Sequence, residues 1–379
     1  MMKLYDVYPL NPIEIVKGQG SYVWDKKEQV YLDLYGGHAV ISIGHTHPHY
    51  VSRLKAQLDQ IGFYSNSIEN PLQQQVATLL GEVTGLADYQ LFLCNSGAEA
   101  NENALKIASF HTGRKKVIAF EKAFHGRTSL AVAATANTKI IAPINVTDNV
   151  VFLPFNDEQA LEQAFVSYGG EVAAVIIEGI QGVGGIQVAT PSFLKKISVL
   201  TKQYGAIFIA DEIQCGYGRT GSFYAVDDAG IQADIYTMAK GMGNGFPIGA
   251  IALAPAFQPW HGQLGTTFGG NHLACAAALA VLEVIQQDQL LLHAKRIGNY
   301  LLAELKKLDK IQEVRGKGLM IGIDLAPELK DLRQDLLFKD YIFTGQASPN
   351  VIRLLPALTL SETDADLFLE KFSKRLQHY

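Results

Sequence analysis

The chain has 379 residues, 48% of them hydrophobic and 18% charged. That length suggests two to three domains at roughly 150 residues each, and the composition excludes a disordered chain. Lysine and arginine number 32 against 37 acidic residues, a net charge of −5, which is the wrong sign for a dedicated nucleic-acid binder.

A chain of this size hides about three quarters of its unfolded surface, so it needs neither disulfides nor a structural metal to stay folded. Cys94, Cys215 and Cys275 lie far apart at no metal-ligand spacing. A low, odd cysteine count fits a reducing compartment. The start, Met1 to Asp6, lacks the apolar core of a signal peptide. The longest apolar run, Leu273 to Ile285, is broken by Glu283 and is too short to span a bilayer. A soluble cytoplasmic protein is expected, without a membrane or nucleic-acid partner.

In chain order, two alternating runs around Lys26-Lys27-Glu28 predict a β-hairpin over Gly20–Asp25 and Gln29–Leu34. Val51, Leu54 and Leu58 carry helical spacing between Pro48 and Gly62. Asn95-Ser96-Gly97 opens a predicted helix over Ala98–Ser109, and a short strand follows at Lys116–Phe120. Val172–Glu178 and Ala206–Glu212 are apolar runs that end in acids, with a helix predicted between them over Pro191–Tyr204. Ile235–Met238 leads to Lys240, and Gly249–Leu253 is a further strand. Continuous apolar strands between helices imply a mostly parallel sheet covered on both faces. Such sheets bind ligands at the carboxyl ends of their strands. Helices are then expected at Asn271–Gln286, Leu290–Leu308 and Glu362–Gln377, with strands at Val314–Asp324 and Val351–Leu355. The expected fold is α/β: residues 1–50 join a small domain, 51–270 form a large domain, and 271–379 form a connecting helix and a smaller α+β domain.

Several residues could carry chemistry, and each also has a plain structural reading. Asp211 ends a buried strand, where a carboxylate needs a cation or hydrogen bonds; a cap or a structural salt bridge would suffice. Lys240 stands between a strand and the glycine-rich Gly241-Met242-Gly243-Asn244-Gly245. Desolvation there would make it an amine nucleophile, although most lysines are simply exposed. Ser96-Gly97-Ala98 could offer free amides and a helix dipole to a phosphate, or could be an ordinary helix start. Gly216-Tyr217-Gly218-Arg219-Thr220-Gly221 matches a dinucleotide fingerprint, but polar residues separate it from the strand and no amphipathic helix follows. A dinucleotide-dependent oxidoreductase would rest on that match alone. His45-Thr46-His47-Pro48-His49 reads as a polar turn before a helix rather than as a metal site.

These pieces recur together in one order: Asn95 to Glu102, Phe124-His125-Gly126-Arg127-Thr128, Asp211 to Gly221, Ala239-Lys240-Gly241, and Gly265 to Asn271. From Tyr8 through Arg353 the chain resembles the class III (ω-amino) pyridoxal-phosphate aminotransferases, in the acetylornithine and succinylornithine subgroup. The resemblance implies the type I fold of pyridoxal-phosphate transferases and pyridoxal 5′-phosphate as cofactor. It also implies an amino donor with 2-oxoglutarate as acceptor, and a homodimer with shared sites. In it Lys240 bonds the cofactor and moves the proton, while Asp211 holds the pyridine nitrogen protonated. Phe124 stacks on one ring face, Ile213 presses on the other, and Gln214 lies near the phenolic oxygen. Ser96, Gly97 and Ala98 hold the phosphate, and Thr267 adds a phosphate contact from the neighbouring subunit. Arg127 binds the substrate α-carboxylate, Tyr8 and Thr266 lie near the substrate, and Arg353 binds the carboxylate of the dicarboxylic partner.

Two departures bear on the substrate. Where the family usually reads Glu-Pro-Ile-Gln-Gly-Glu, this chain reads Glu178-Gly179-Ile180-Gln181-Gly182-Val183. In relatives the second glutamate masks the arginine that matches Arg353. An unmasked Arg353 could accept the α-amino end of a free amino acid, and an N-acylated α-amine cannot react that way. Gly37 stands where ornithine aminotransferases carry a bulky aromatic, leaving space for an acyl group. An N-acylornithine, acetyl or succinyl, is therefore expected, giving the semialdehyde and glutamate as in arginine biosynthesis; 4-aminobutyrate and ornithine are the alternatives.

Overall fold

The computed structural model describes residues 2–347 and 350–379. Its centre is a seven-stranded sheet in the order Gln90–Cys94, Gly249–Leu253, Ile235–Met238, Ile207–Asp211, Val172–Glu178, Lys116–Phe120, Val150–Leu153. Val172–Glu178 and Ile207–Asp211 are buried along their whole length, as strands with apolar residues on both faces require. Six strands run parallel. Gly249–Leu253 runs antiparallel to both its neighbours, a reversal that an apolar run alone does not reveal.

Register fixes the chemistry. Asp211 stands beside Glu178 on one side and Thr237 on the other. The carboxyl ends of three strands are thus level, and Lys240 lies two residues past the end of the third.

Local signals set the helices. Ser96 caps Gly97–Thr112 by accepting the amide of Glu99, while Glu99 accepts the amide of Asn95. That exchange is a capping box displaced by one residue, because the returned bond goes to the amide of Asn95 rather than of the cap Ser96. Pro191–Tyr204 begins with proline in its first turn, is capped by Thr190, and ends at left-handed Gly205. His272–Gln287 is buried almost all round. Its one acid, Glu283, accepts hydrogen bonds from Arg53 (2.9 Å) and pairs with His49 (2.5 Å) of helix Pro48–Leu58. His45 turns instead to Asp33 at 2.8 Å. Two of the three histidines of the 45–49 run therefore serve separate carboxylates, while His47 Nδ1 has no partner among the described residues.

Two four-stranded sheets, one antiparallel and one mixed, flank this body. Ile311–Lys317, Met320–Leu325, Val351–Leu354 and Gly345–Ala347 form one. The expected single strand over Val314–Asp324 is in fact a hairpin. Gly318 breaks it at φ +53°, where a Cβ would stand 2.4 Å from the carbonyl carbon of Thr220. The other sheet holds Ile15–Gln19, Tyr22–Asp25 and Val30–Asp33, with Ile342–Phe343 pairing in parallel onto Val30–Asp33. Among the described residues no single helix is long and apolar enough to cross a membrane.

Candidate active site

A cavity of about 290 Å³ opens at the level carboxyl ends of the central strands. Gly97, Ala98, Phe124, Arg127, Asp211, Ile213, Gln214 and Lys240 all line it, together with His125, Gly126, Glu178 and Val183. Phe124 follows strand Lys116–Phe120, Ile213 and Gln214 follow Asp211, and Gly97 and Ala98 open a helix. The first-turn amides of that helix have no partner within it. Gly97 is required here, because a Cβ would meet Ile213 Cγ2 at 2.8 Å.

Asp211 is buried and fully engaged. Its Oδ2 accepts from Asn101 Nδ2 (2.8 Å) and from His125 Nδ1 (2.7 Å), and its Oδ1 accepts from the amide of Ile213 (3.1 Å). Burial alone would lower the His125 pKa, but the hydrogen bond and charge of Asp211, with Glu178 farther off, raise it overall. The pair therefore carries a proton held against a carboxylate deep in the protein. Glu178, buried beside it, is pushed up to about 7, first by desolvation and then by Asp211. Glu212 turns away: it receives the amides of Ala225 and Val226, and burial lifts it to about 8. Of the adjacent acids Asp211 and Glu212, only Asp211 lines the cavity.

Lys240 occupies the left-handed region at φ +46°, a strained setting for a non-glycine residue. The loop behind it is pinned by Asn244, which accepts the amides of Ser42 and Ile43 and donates to Gly44 O. Burial lowers the Lys240 pKa below its ordinary value; Asp211 and Glu178 oppose this and Arg353 adds to it. A neutral amine is therefore accessible at lower pH than for a surface lysine.

Arg353 is not among the cavity-lining residues, but it is hydrogen-bonded to Gly182, the neighbour of the lining residue Val183. It is 3% exposed. Its Nη1 donates to Gly182 O at 3.0 Å and its Nε is buried without a partner. No carboxylate forms a salt bridge with it among the described residues. Three expected residues stand apart from the cavity. Tyr8 is 65% exposed. Thr266 accepts from Asn95 Nδ2 (3.2 Å) and the amide of Gly269 (3.1 Å), lining a neighbouring groove. Thr267 is exposed. Ser96 lies at the cavity edge as the helix cap.

The aminotransferase class-III family model matches residues 6–376. The chain belongs to the class III aminotransferases. It is similar to the acetylornithine aminotransferase of Bacillus cereus, with 42% identity covering 96% of this chain and 94% of that one. The Archaeoglobus fulgidus acetylornithine aminotransferase is 40% identical, covering 97% and 96%. Among solved structures, the Toxoplasma gondii ornithine aminotransferase superposes with a TM-score of 0.91 at 29% identity, covering 100% of this chain and 92% of that one. The Elizabethkingia anophelis acetylornithine aminotransferase gives 0.86 at 29%, covering 99% and 96%. The protein is thus a pyridoxal-phosphate-dependent transaminase of the family's α/β fold.

The residues present fit that cofactor. A lysine, an acid held in place by three partners, an aromatic, an aliphatic and a helix N-terminus converge on one slot. Buried polar atoms near it lack partners among the described residues: Gln214 Oε1, His125 Nε2 and Arg353 Nε.

Two groups escaped the sequence reading. Asn101 and His125 hold Asp211 and lie inside the quoted motifs, but spacing could not say what they touch. His38 lies on a left-handed turn, with φ from +56° to +66° at Gly36, Gly37, His38 and Ala39. Its carbonyl accepts from Gln214 Nε2 at 3.1 Å. Desolvation, Arg353, Lys240 and Arg127 together push its imidazole down to about 4. The only sequence signal was the pair Gly36-Gly37.

Proposed function

We propose that the enzyme moves the terminal amino group of an N-acylornithine to 2-oxoglutarate, giving the N-acylglutamate semialdehyde and glutamate, as in arginine biosynthesis. The observation that carries this reading is Arg353, buried, without a salt-bridged carboxylate and next to Val183. A permanently available guanidinium suits the dicarboxylic acceptor. It would also draw a free amino acid in by the wrong end, and acylating the α-amine removes that competing reaction. The similarity to acetylornithine aminotransferases supports the same substrate class.

Pyridoxal phosphate, when bound, supplies the aldehyde that takes up the amine and the ring that accepts the electron pair of the adjacent carbon. In this reading the neutral amine of Lys240 takes the proton from the substrate carbon that bears the amine. Asp211, held in place by Asn101, Ile213 N and His125, would hold a proton on the pyridine nitrogen. Phe124 and Ile213 fix the ring plane, and Gln214 reaches the phenolic oxygen. Ser96, Gly97 and Ala98 bind the phosphate at the helix N-terminus. Arg127, exposed at the mouth, takes the donor's α-carboxylate.

The working unit is a homodimer in the cytoplasm. Thr267 would reach the phosphate of the neighbouring subunit's site from its exposed loop, and Tyr8 and Thr266 would border the substrate once two chains meet. The test is direct. Borohydride should bleach the visible band of the holoenzyme and leave the added mass on Lys240, and N-acetylornithine with 2-oxoglutarate should yield glutamate. A holoenzyme with no such band, or no glutamate from either N-acyl donor, would sink the reading.

A further inference from the structure

Glu178 is buried, faces the cavity and has no part in the steps above. Its two oxygens do different things. Oε1 accepts the amide of Phe124 at 3.0 Å, and Oε2 accepts the amide of Gly182 at 3.0 Å. Gly182 in turn passes the connection on, since its carbonyl accepts from Arg353 Nη1 at 3.0 Å. Gly182 also lies close against Gln214, where an added Cβ would stand 1.7 Å from Oε1. A single carboxyl group therefore bridges the aromatic that faces the slot and the loop that anchors the arginine.

We propose that Glu178 is a positioning residue for acceptor binding, setting the Gly182 carbonyl and through it the orientation of the Arg353 guanidinium relative to Phe124. This inference rests on the reading of Arg353 as the acceptor's carboxylate site. The physical reason is that, among the described residues, the Arg353 guanidinium has one hydrogen bond and an unpartnered Nε. That carbonyl is thus its one polar anchor there, and a bidentate anion contact is sensitive to orientation. A Gln at 178 has one acceptor oxygen and must turn an amide donor toward one of the two N–H groups.

The test uses holoenzyme E178Q, with cofactor content read by absorbance. Calorimetric titration with glutarate, a dicarboxylate that cannot react, reports on Arg353 without turnover. Glutarate affinity is expected to fall about tenfold and the KM for 2-oxoglutarate to rise in step, while the KM for N-acetylornithine stays within twofold. In an R353K background, E178Q should change glutarate affinity by less than twofold, because the effect acts through the guanidinium. E178D keeps the charge but is too short to span both amides, and the same selective loss is expected of it. Equal loss of donor and acceptor binding in both variants, an unchanged glutarate affinity, or the same loss in both backgrounds would overturn the proposal. If unaltered enzyme binds glutarate but does not turn over 2-oxoglutarate, the functional reading fails instead.

Discussion

Lys240 and the charges around it set the chemistry at the residue scale. Its amine is buried, and desolvation favours the neutral form. In apoenzyme, labelling of Lys240 by an amine-reactive reagent should rise with pH and reach half its maximum below the ordinary lysine value. Asp211 acts in the opposite direction on this group, so Asp211→Asn should move that midpoint lower still. A midpoint at the surface-lysine value would contradict the burial argument. The two arginines should separate by half-reaction. Arg353→Met should raise the KM for 2-oxoglutarate roughly 10- to 100-fold, the loss expected for hydrogen bonds between charged groups. Arg127→Met should act on the N-acyl donor, and steady-state kinetics with each substrate varied would separate the two.

At the scale of elements, the helix opening at Gly97 and the left-handed turn at Gly36–Ala39 carry the site. Gly97→Ala would drive a Cβ into Ile213. The amides proposed to bind the phosphate or the Ile213 face must then move, and cofactor affinity should fall about tenfold, read by equilibrium dialysis. At His38, glycine relieves about 1–2 kcal/mol of left-handed strain and costs about 0.5–1 kcal/mol in chain entropy. His38→Gly should therefore stabilise modestly and His38→Val should destabilise, as chemical denaturation would show. These elements also mark what the sequence could tell. Runs such as Val172–Glu178 were legible to the residue, because seven buried positions in succession leave one interpretation. Val314–Asp324 was misread as one strand, since its turn depends on how closely Gly318 approaches Thr220. Helices Pro71–Thr84 and Glu158–Tyr168 and strands Gln90–Cys94 and Val150–Leu153 were not anticipated. The two helices mix polar and apolar residues, and the two strands are apolar runs of only four or five residues, too short to stand out. The cavity lining was legible through motif order, whereas the left-handed turn was not, because His38 owes its conformation to contacts with distant residues.

Across the whole molecule, the level ends of three strands bring Glu178, Asp211 and Lys240 together, and the net charge of −5 says nothing of the cations clustered there. Tyr8 and Thr267 remain outside the cavity of a single chain. Sedimentation should therefore give a dimer, and Thr267→Ala should weaken cofactor binding without changing that mass. The central claim concerns which amine is transferred. It is tested most directly by kcat/KM with saturating 2-oxoglutarate for N-acetylornithine, N-succinylornithine, ornithine and 4-aminobutyrate. An N-acylornithine should exceed both free amines by about 100-fold, the ratio that about 2.7 kcal/mol of selective transition-state binding gives. Ornithine or 4-aminobutyrate turned over as efficiently as the N-acyl donors would contradict it.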